Sequence, residues 1–113
     1  MITRDLAELA PSDAEAASAA SELRARLVRD FPSLAEHARV EGGAVLVSPG
    51  GLPGIPAERA GWALAQWAVA VAGAQGVTAV QVDGQAWSRA SGAWQESASA
   101  PVEPGAVRIA VGA

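Results

Sequence analysis

His37 is the only imidazole in the chain, and there is no cysteine at all. As a general base His37 would need an orienting acid and a group to deprotonate. Glu36 and Glu41 are the acids nearest to it in sequence, and nothing else near it supports catalysis. Its place at the end of a short predicted helix suits the C-terminal dipole or solvent instead. A zinc site would have to be built mostly from carboxylates. The twelve acids are scattered along the chain without ligand spacing, and Asp83 is explained by a turn. The glycines of Gly42-Gly43 and Gly50-Gly51-Leu-Pro-Gly54 lack the Lys-Ser/Thr end of a phosphate-binding loop and no Gly-x-Gly-x-x-Gly opens a helix. Ser48, Ser88, Ser91, Ser97 and Ser99 lack a Gly-x-Ser-x-Gly elbow. No catalytic residue, metal ligand or cofactor site is therefore assigned.

Trp87 and Trp94 are the remaining candidates. They flank turns in the polar run Trp87-Ser-Arg-Ala-Ser-Gly-Ala-Trp94. With Arg89 between them they have the chemistry of a binding surface, since tryptophan and arginine dominate interaction hot spots. The alternative is that they close one end of the core, with their indole N–H groups meeting water or backbone.

The elements that would position these residues are organised around residues 56 to 74. Pro56 suits a first helical position, and Glu58 suits the first turn. Ala60, Leu64, Trp67, Ala68 and Val71 recur at helical spacing, and Gly76 can end the helix in a left-handed conformation. Before it, residues 1 to 10 form one or two helical turns stopped by Pro11. Ser12-Asp-Ala-Glu15 is a capping box that opens a second helix to about Asp30. Its buried stripe is Ala16, Ala20, Leu23 and Leu27, and Glu22 pairs with Arg26 on the wet side. Phe31 precedes Pro32 and ends it. Ser33-Leu-Ala-Glu36 opens a short helix through His37 and Arg39. Ala44-Val-Leu-Val-Ser48 is an apolar run expected to be a strand covered on both faces, and 49–56 is a loop.

Val77–Val82 predicts a strand with Thr78, Val80 and Val82 on one face. Asp83-Gly84 is a hairpin signal, and Gln85–Ser88 is the return strand. Ser91-Gly92 is a further turn, 96–104 a surface loop, and 106–111 a last strand with Val107, Ile109 and Val111 inward. The expected fold class is α+β: a small, mostly antiparallel sheet of three to four strands packed on a central Ala- and Trp-rich helix, plus N-terminal helices. One domain is expected from 113 residues, with a helical part to residue 40 and a strand-helix-hairpin-strand core over 43–112.

The segments Gly43-Ala-Val-Leu-Val47, the helix from Ala57 to Ala74, Gly76-Val77, Trp87, Gly92-Ala-Trp94 and Val107-Arg-Ile-Ala-Val111 resemble, in that order, the C-terminal domains of actinobacterial cell-wall proteins related to zinc D-Ala-D-Ala carboxypeptidases, the Hedgehog/DD-peptidase fold. The resemblance covers roughly residues 36 to 112. It implies zinc held by a His and an Asp around the first strand and a His in the last. The matching positions here are approximately Arg39, Leu46 and Arg108 or Ala110, and none can hold zinc as that family does. The resemblance thus implies a scaffold without metal chemistry, and no catalytic residue carries over.

A net charge of −4 argues against a nucleic-acid partner, because phosphate binding needs a basic surface. Residues 1 to 10 hold Arg4, Asp5 and Glu8 and lack the apolar region of a secretory signal. The 56–74 helix is too short and too rich in Ala and Gly for a membrane span. The expectation is a cytoplasmic, non-catalytic domain that binds a protein or peptide through a cleft bordered by 49–55, the 84–94 hairpin and Arg108. Arg39, Trp87, Arg89, Trp94 and Arg108 are its binding residues. One alternative is an enzyme or small-ligand binder using Arg39, Glu41, Asp83 and Arg108. Another is a homo-oligomeric subunit assembled through apolar helix surface.

Overall fold

A computed structural model describes residues 4–48, 54–98, 100 and 105–111, with side chains described from Glu15 onward. In chain order it holds helix α1 (Arg4–Asp30), a 3-10 turn (Pro32–Leu34), strands β1 (Ala38–Glu41) and β2 (Ala44–Val47), helix α2 (Ala57–Ala70) and the one-turn helix α3 (Ala72–Gln75). Strands β3 (Val77–Val82), β4 (Gln85–Ser88), β5 (Ala93–Glu96) and β6 (Val107–Val111) follow. The fold is α+β, but the sheet has six strands instead of three or four. All its pairings are antiparallel, in the order β1-β2-β6-β3-β4-β5.

The two strands absent from the sequence expectation are the two edges, and each has a physical reason. Residues 38–41 read as the tail of a helix opened by Ser33–Glu36. Instead Pro32 starts a single 3-10 turn, which closes as His37 N–H donates to the Leu34 carbonyl at 2.9 Å. The chain then extends. Gly42 takes φ +60°, and the two-residue turn Gly42-Gly43 returns β1 onto β2. A positive φ at the first central position is what a type II′ hairpin turn requires. On β5, residues 93–96 are largely exposed. An edge strand buries too little to need the alternation by which strands are recognised.

Helix α1 also departs from expectation, running through Pro11 without a break. A proline removes one i→i−4 bond at a cost of about 3 kcal/mol, so it does not have to end a 27-residue helix. Ser12–Glu15 is accordingly helix interior, not a cap. Ala20, Leu23 and Leu27 are fully buried, as the stripe predicts. Arg26 approaches Asp30, at 3.9 Å, one turn further on and not one turn back at Glu22.

Helix α2 is the 56–74 helix, ended by the short α3 and by Gly76 in the left-handed conformation (φ +72°). It does not stand alone at the centre. Leu64, Ala65 and Ala68 of α2 share one hydrophobic core with Leu23 and Leu27 of α1 and with one face of the sheet. Helix α1 lies over β1, β2 and β6, and α2 over β3 and β6. The helices cover one face of strand β2, where Val45 and Val47 are buried; on the other face Leu46 is half-buried and Ala44 is 1% exposed. On β3 a register shift between Val77 and Ala79 turns Val77 inward along with Val80 and Val82, a one-residue bulge.

The backbone of α2 passes close to the start of β6. A Cβ at Gly61 would lie 3.0 Å from Gly105 Cα and 3.3 Å from a methyl of Val82. Gly61→Leu removes a helix-interior glycine, a gain of up to about 1 kcal/mol, yet it forces this packing apart. A net loss of about 1–3 kcal/mol is expected from overpacking, read as a lower urea midpoint. An unchanged or higher midpoint would mean that the 105 backbone yields freely.

Candidate functional site

Antiparallel register fixes which side chains share a face. Val40, Val45, Ile109, Val80, Trp87 and Trp94 are neighbours in one row across all six strands. This is the helix-covered face. The next row on the opposite face is Arg39, Leu46, Arg108, Gln81, Ala86 and Gln95. Beside it runs Glu41, Ala44, Ala110, Ala79, Ser88 and Ala93. No described helix packs on these two rows. Six of the twelve side chains are Ala or Leu, so the surface is shallow, with the two arginines standing above it.

The structure splits the five residues expected to bind among three places. Arg39 and Arg108 lie in one row on the open face, two strands apart, which is about 10 Å at ordinary strand spacing. Arg39 Nη2 reaches Glu41 Oε2 at 3.5 Å. Arg108 is exposed, and no described residue bonds its guanidinium. Trp87 is only 8% exposed and belongs to the core, the alternative raised for it above. Trp94 is half-buried on the same face, its ring 5.0 Å from Trp62 at 62°, an edge-to-face pair. Arg89 sits exposed in the β4–β5 turn, its backbone N–H donating to the Thr78 carbonyl at 2.9 Å. Of the cleft expected from 49–55, the hairpin and Arg108, residues 49–53 lie outside the described residues. A hollow of about 480 Å³ does lie at the end of the β3–β4 hairpin, lined by Asp83, Gly84, Gln85, Glu96, Ser97 and Ala98, without Arg108.

The residues of the enzymatic alternative are also divided. Asp83 forms the β3–β4 turn with Gly84 (φ +52° and +71°). Its Oδ2 accepts from Trp62 Nε1 at 3.3 Å, on the helix side, while Arg39, Glu41 and Arg108 lie on the open face. His37 Nδ1 is 3.4 Å from Ser48 Oγ, whose hydroxyl also donates to the His37 carbonyl at 3.3 Å. Glu41 is engaged with Arg39, and no described acid orients this ring. Among the described residues no group of three or more His, Asp or Glu side chains is placed to hold a metal ion. None of the described helices is long and apolar enough to cross a membrane.

Sequence reasoning misses four interactions that organise the molecule. Arg24 on α1 donates from Nε to the Ala38 carbonyl at 2.8 Å and from an Nη to the Ala35 carbonyl at 2.7 Å. Trp67 Nε1 donates to Asp30 Oδ2 at 2.9 Å, at the end of α1, and its ring meets Phe31 edge-on at 6.0 Å. The open-face row itself is legible only in part: the alternation in Ala38-Arg-Val-Glu41 and Val107-Arg-Ile-Ala-Val111 puts Arg39 and Arg108 on polar faces. That the two polar faces are one surface depends on strand order.

Of the positions expected to match the zinc ligands of the carboxypeptidase family, Arg39, Leu46 and Arg108 follow one another across three strands in that row, while Ala110, the alternative to Arg108, lies in the flanking row. No protein-family model, curated protein or solved structure matches the chain.

Proposed function

We propose that this is a non-catalytic binding module that recognises a polypeptide on the helix-free face of its sheet. The observation that carries the reading is the row Arg39–Leu46–Arg108–Gln81–Ala86–Gln95. Ala79, Ala93 and Ala110 in the flanking row let a ligand approach the sheet closely, Leu46 supplies an apolar surface, and the arginines supply charge. Among the described residues the face holds two arginines against Glu41, a local excess of positive charge on a chain whose net charge is −4. The complementary ligand carries carboxylates about 10 Å apart, the separation of two side chains two strands apart on one face. Guanidinium–carboxylate pairs fix orientation as well as affinity. The likeness to the carboxypeptidases fits this reading as a scaffold whose ligand positions have become part of a recognition surface.

The test is selection of peptide ligands from an unbiased display library, followed by titration. Acidic sequences are the expected winners. Arg39→Glu with Arg108→Glu is expected to weaken them by about thirtyfold, because it removes two solvent-exposed guanidinium–carboxylate pairs worth up to about 1 kcal/mol each. Arg59→Glu, exposed on α2, leaves them unchanged. Selected peptides that bind the double variant as tightly as the parent would refute the open face as the recognition surface.

A further inference from the structure

The two edges of the sheet end differently. On β1, Ser48 N–H bonds the His37 carbonyl at 2.8 Å, which makes Ala38 and Val40 the residues whose backbone polar groups point away from β2. The outward Ala38 carbonyl is taken by Arg24, on the helix that lies over this strand. On β5, Ser97 N–H bonds the Gly84 carbonyl at 2.9 Å. By the same alternation Trp94 and Glu96 direct their N–H and C=O groups outward, and among the described residues nothing bonds them. An open edge of this kind is a template for another strand.

We propose that β5 pairs with β5 of a second copy, antiparallel across a two-fold axis that passes beside Gln95. The register follows from the strand itself. With Gln95 on the axis, Trp94 faces Glu96 of the other copy and Glu96 faces its Trp94. Both outward residues of each copy are then used, and four backbone hydrogen bonds form. Centring on Trp94 instead would set Glu96 against Gly92, which is in the turn at φ +66° with its N–H already bonded to Ser88. Centring on Glu96 would set like charges directly opposite each other, which is destabilising. The Gln95 register avoids both. It also runs the Glu96 end of each strand toward the turn of the other copy that carries Arg89, opposite charges across an isologous interface. The edge-polar residue Gln95 meets itself, two neutral amides side by side on the open face, and the two six-stranded sheets join into one.

Four residues per copy bury far less than the roughly 800 Å² per partner of a standard interface, so the dimer is a weak one that forms with concentration. By equilibrium sedimentation between about 10 µM and 1 mM, a range that brackets weak association, the mass is expected to rise from 11.3 kDa toward twice that value. Glu96→Pro removes an outward N–H without touching the β4–β5 ladder and is expected to weaken association at least about tenfold. If that variant fails to fold, Gln95 decides the matter with no backbone change. Gln95→Glu and Gln95→Lys each place like charges on the axis and are expected to weaken association by about fivefold, and an equimolar mixture of the two restores it. A mass that stays at one copy throughout the range overturns the proposal. So does a dimer indifferent to the Gln95 substitutions, or a mixture that fails to recover.

Discussion

Replacing Ile109 by alanine is expected to cost about 4 kcal/mol of folding stability, the largest effect of any single aliphatic truncation in this sheet. Ile109 is fully buried on β6, the strand between β2 and β3. Val45 and Val80 flank it in register, and both helices lie over its strand. A cavity there is enclosed on every side, so the surroundings have little freedom to collapse into it, and the cost rises with the volume left empty. Against a typical stability of about 5–15 kcal/mol for such a domain, a change of this size is visible in urea unfolding as a large drop in midpoint at constant slope. A loss under about 1 kcal/mol would mean that β6 is not the centre of the core.

Trp87→Ala is expected to cost about 3–4 kcal/mol, and here the result discriminates between two roles. A tryptophan on a binding surface can be removed with little change in stability. One that is 8% exposed and lies in register between Val80 and Trp94 cannot. Arg89→Ala, exposed in the neighbouring turn, is expected to fall within about 0.5 kcal/mol of the parent. Urea midpoints for the two variants, measured with the remaining tryptophans as probes, check both. Near-equal stability of Trp87→Ala and Arg89→Ala would place the indole outside the core.

Trp87 and Arg89 illustrate why the site is harder to read than the fold. They are two residues apart in sequence, and hot-spot chemistry favours using both. Strand alternation puts Trp87 on the face of Val80 and Val82, which the sequence pattern also turns inward, but that inference needs β4 to be paired with β3 in the observed register. The sequence makes Arg39 helical and Arg108 a strand residue, and nothing local relates them. They come into one row only because β2 lies between their strands and pairs with both. Leu46 joins that row for the same reason, although the apolar run around it predicts a strand covered on both faces.

By itself the sequence determined the elements whose physics is local. The helical stripes Ala20–Leu23–Leu27 and Ala60–Leu64–Ala68, the stops at Phe31-Pro32 and Gly76, the Asp83-Gly84 hairpin and the inward set Val107, Ile109 and Val111 all follow from spacing, capping and turn chemistry within a few residues. Tertiary structure alone decided the edge strands, the gathering of both helices on one face and the composition of the face they leave open. Each of those depends on pairing between segments distant in the chain. Such pairing is chosen by the total apolar area buried and the backbone hydrogen bonds completed, quantities that no short window of residues contains.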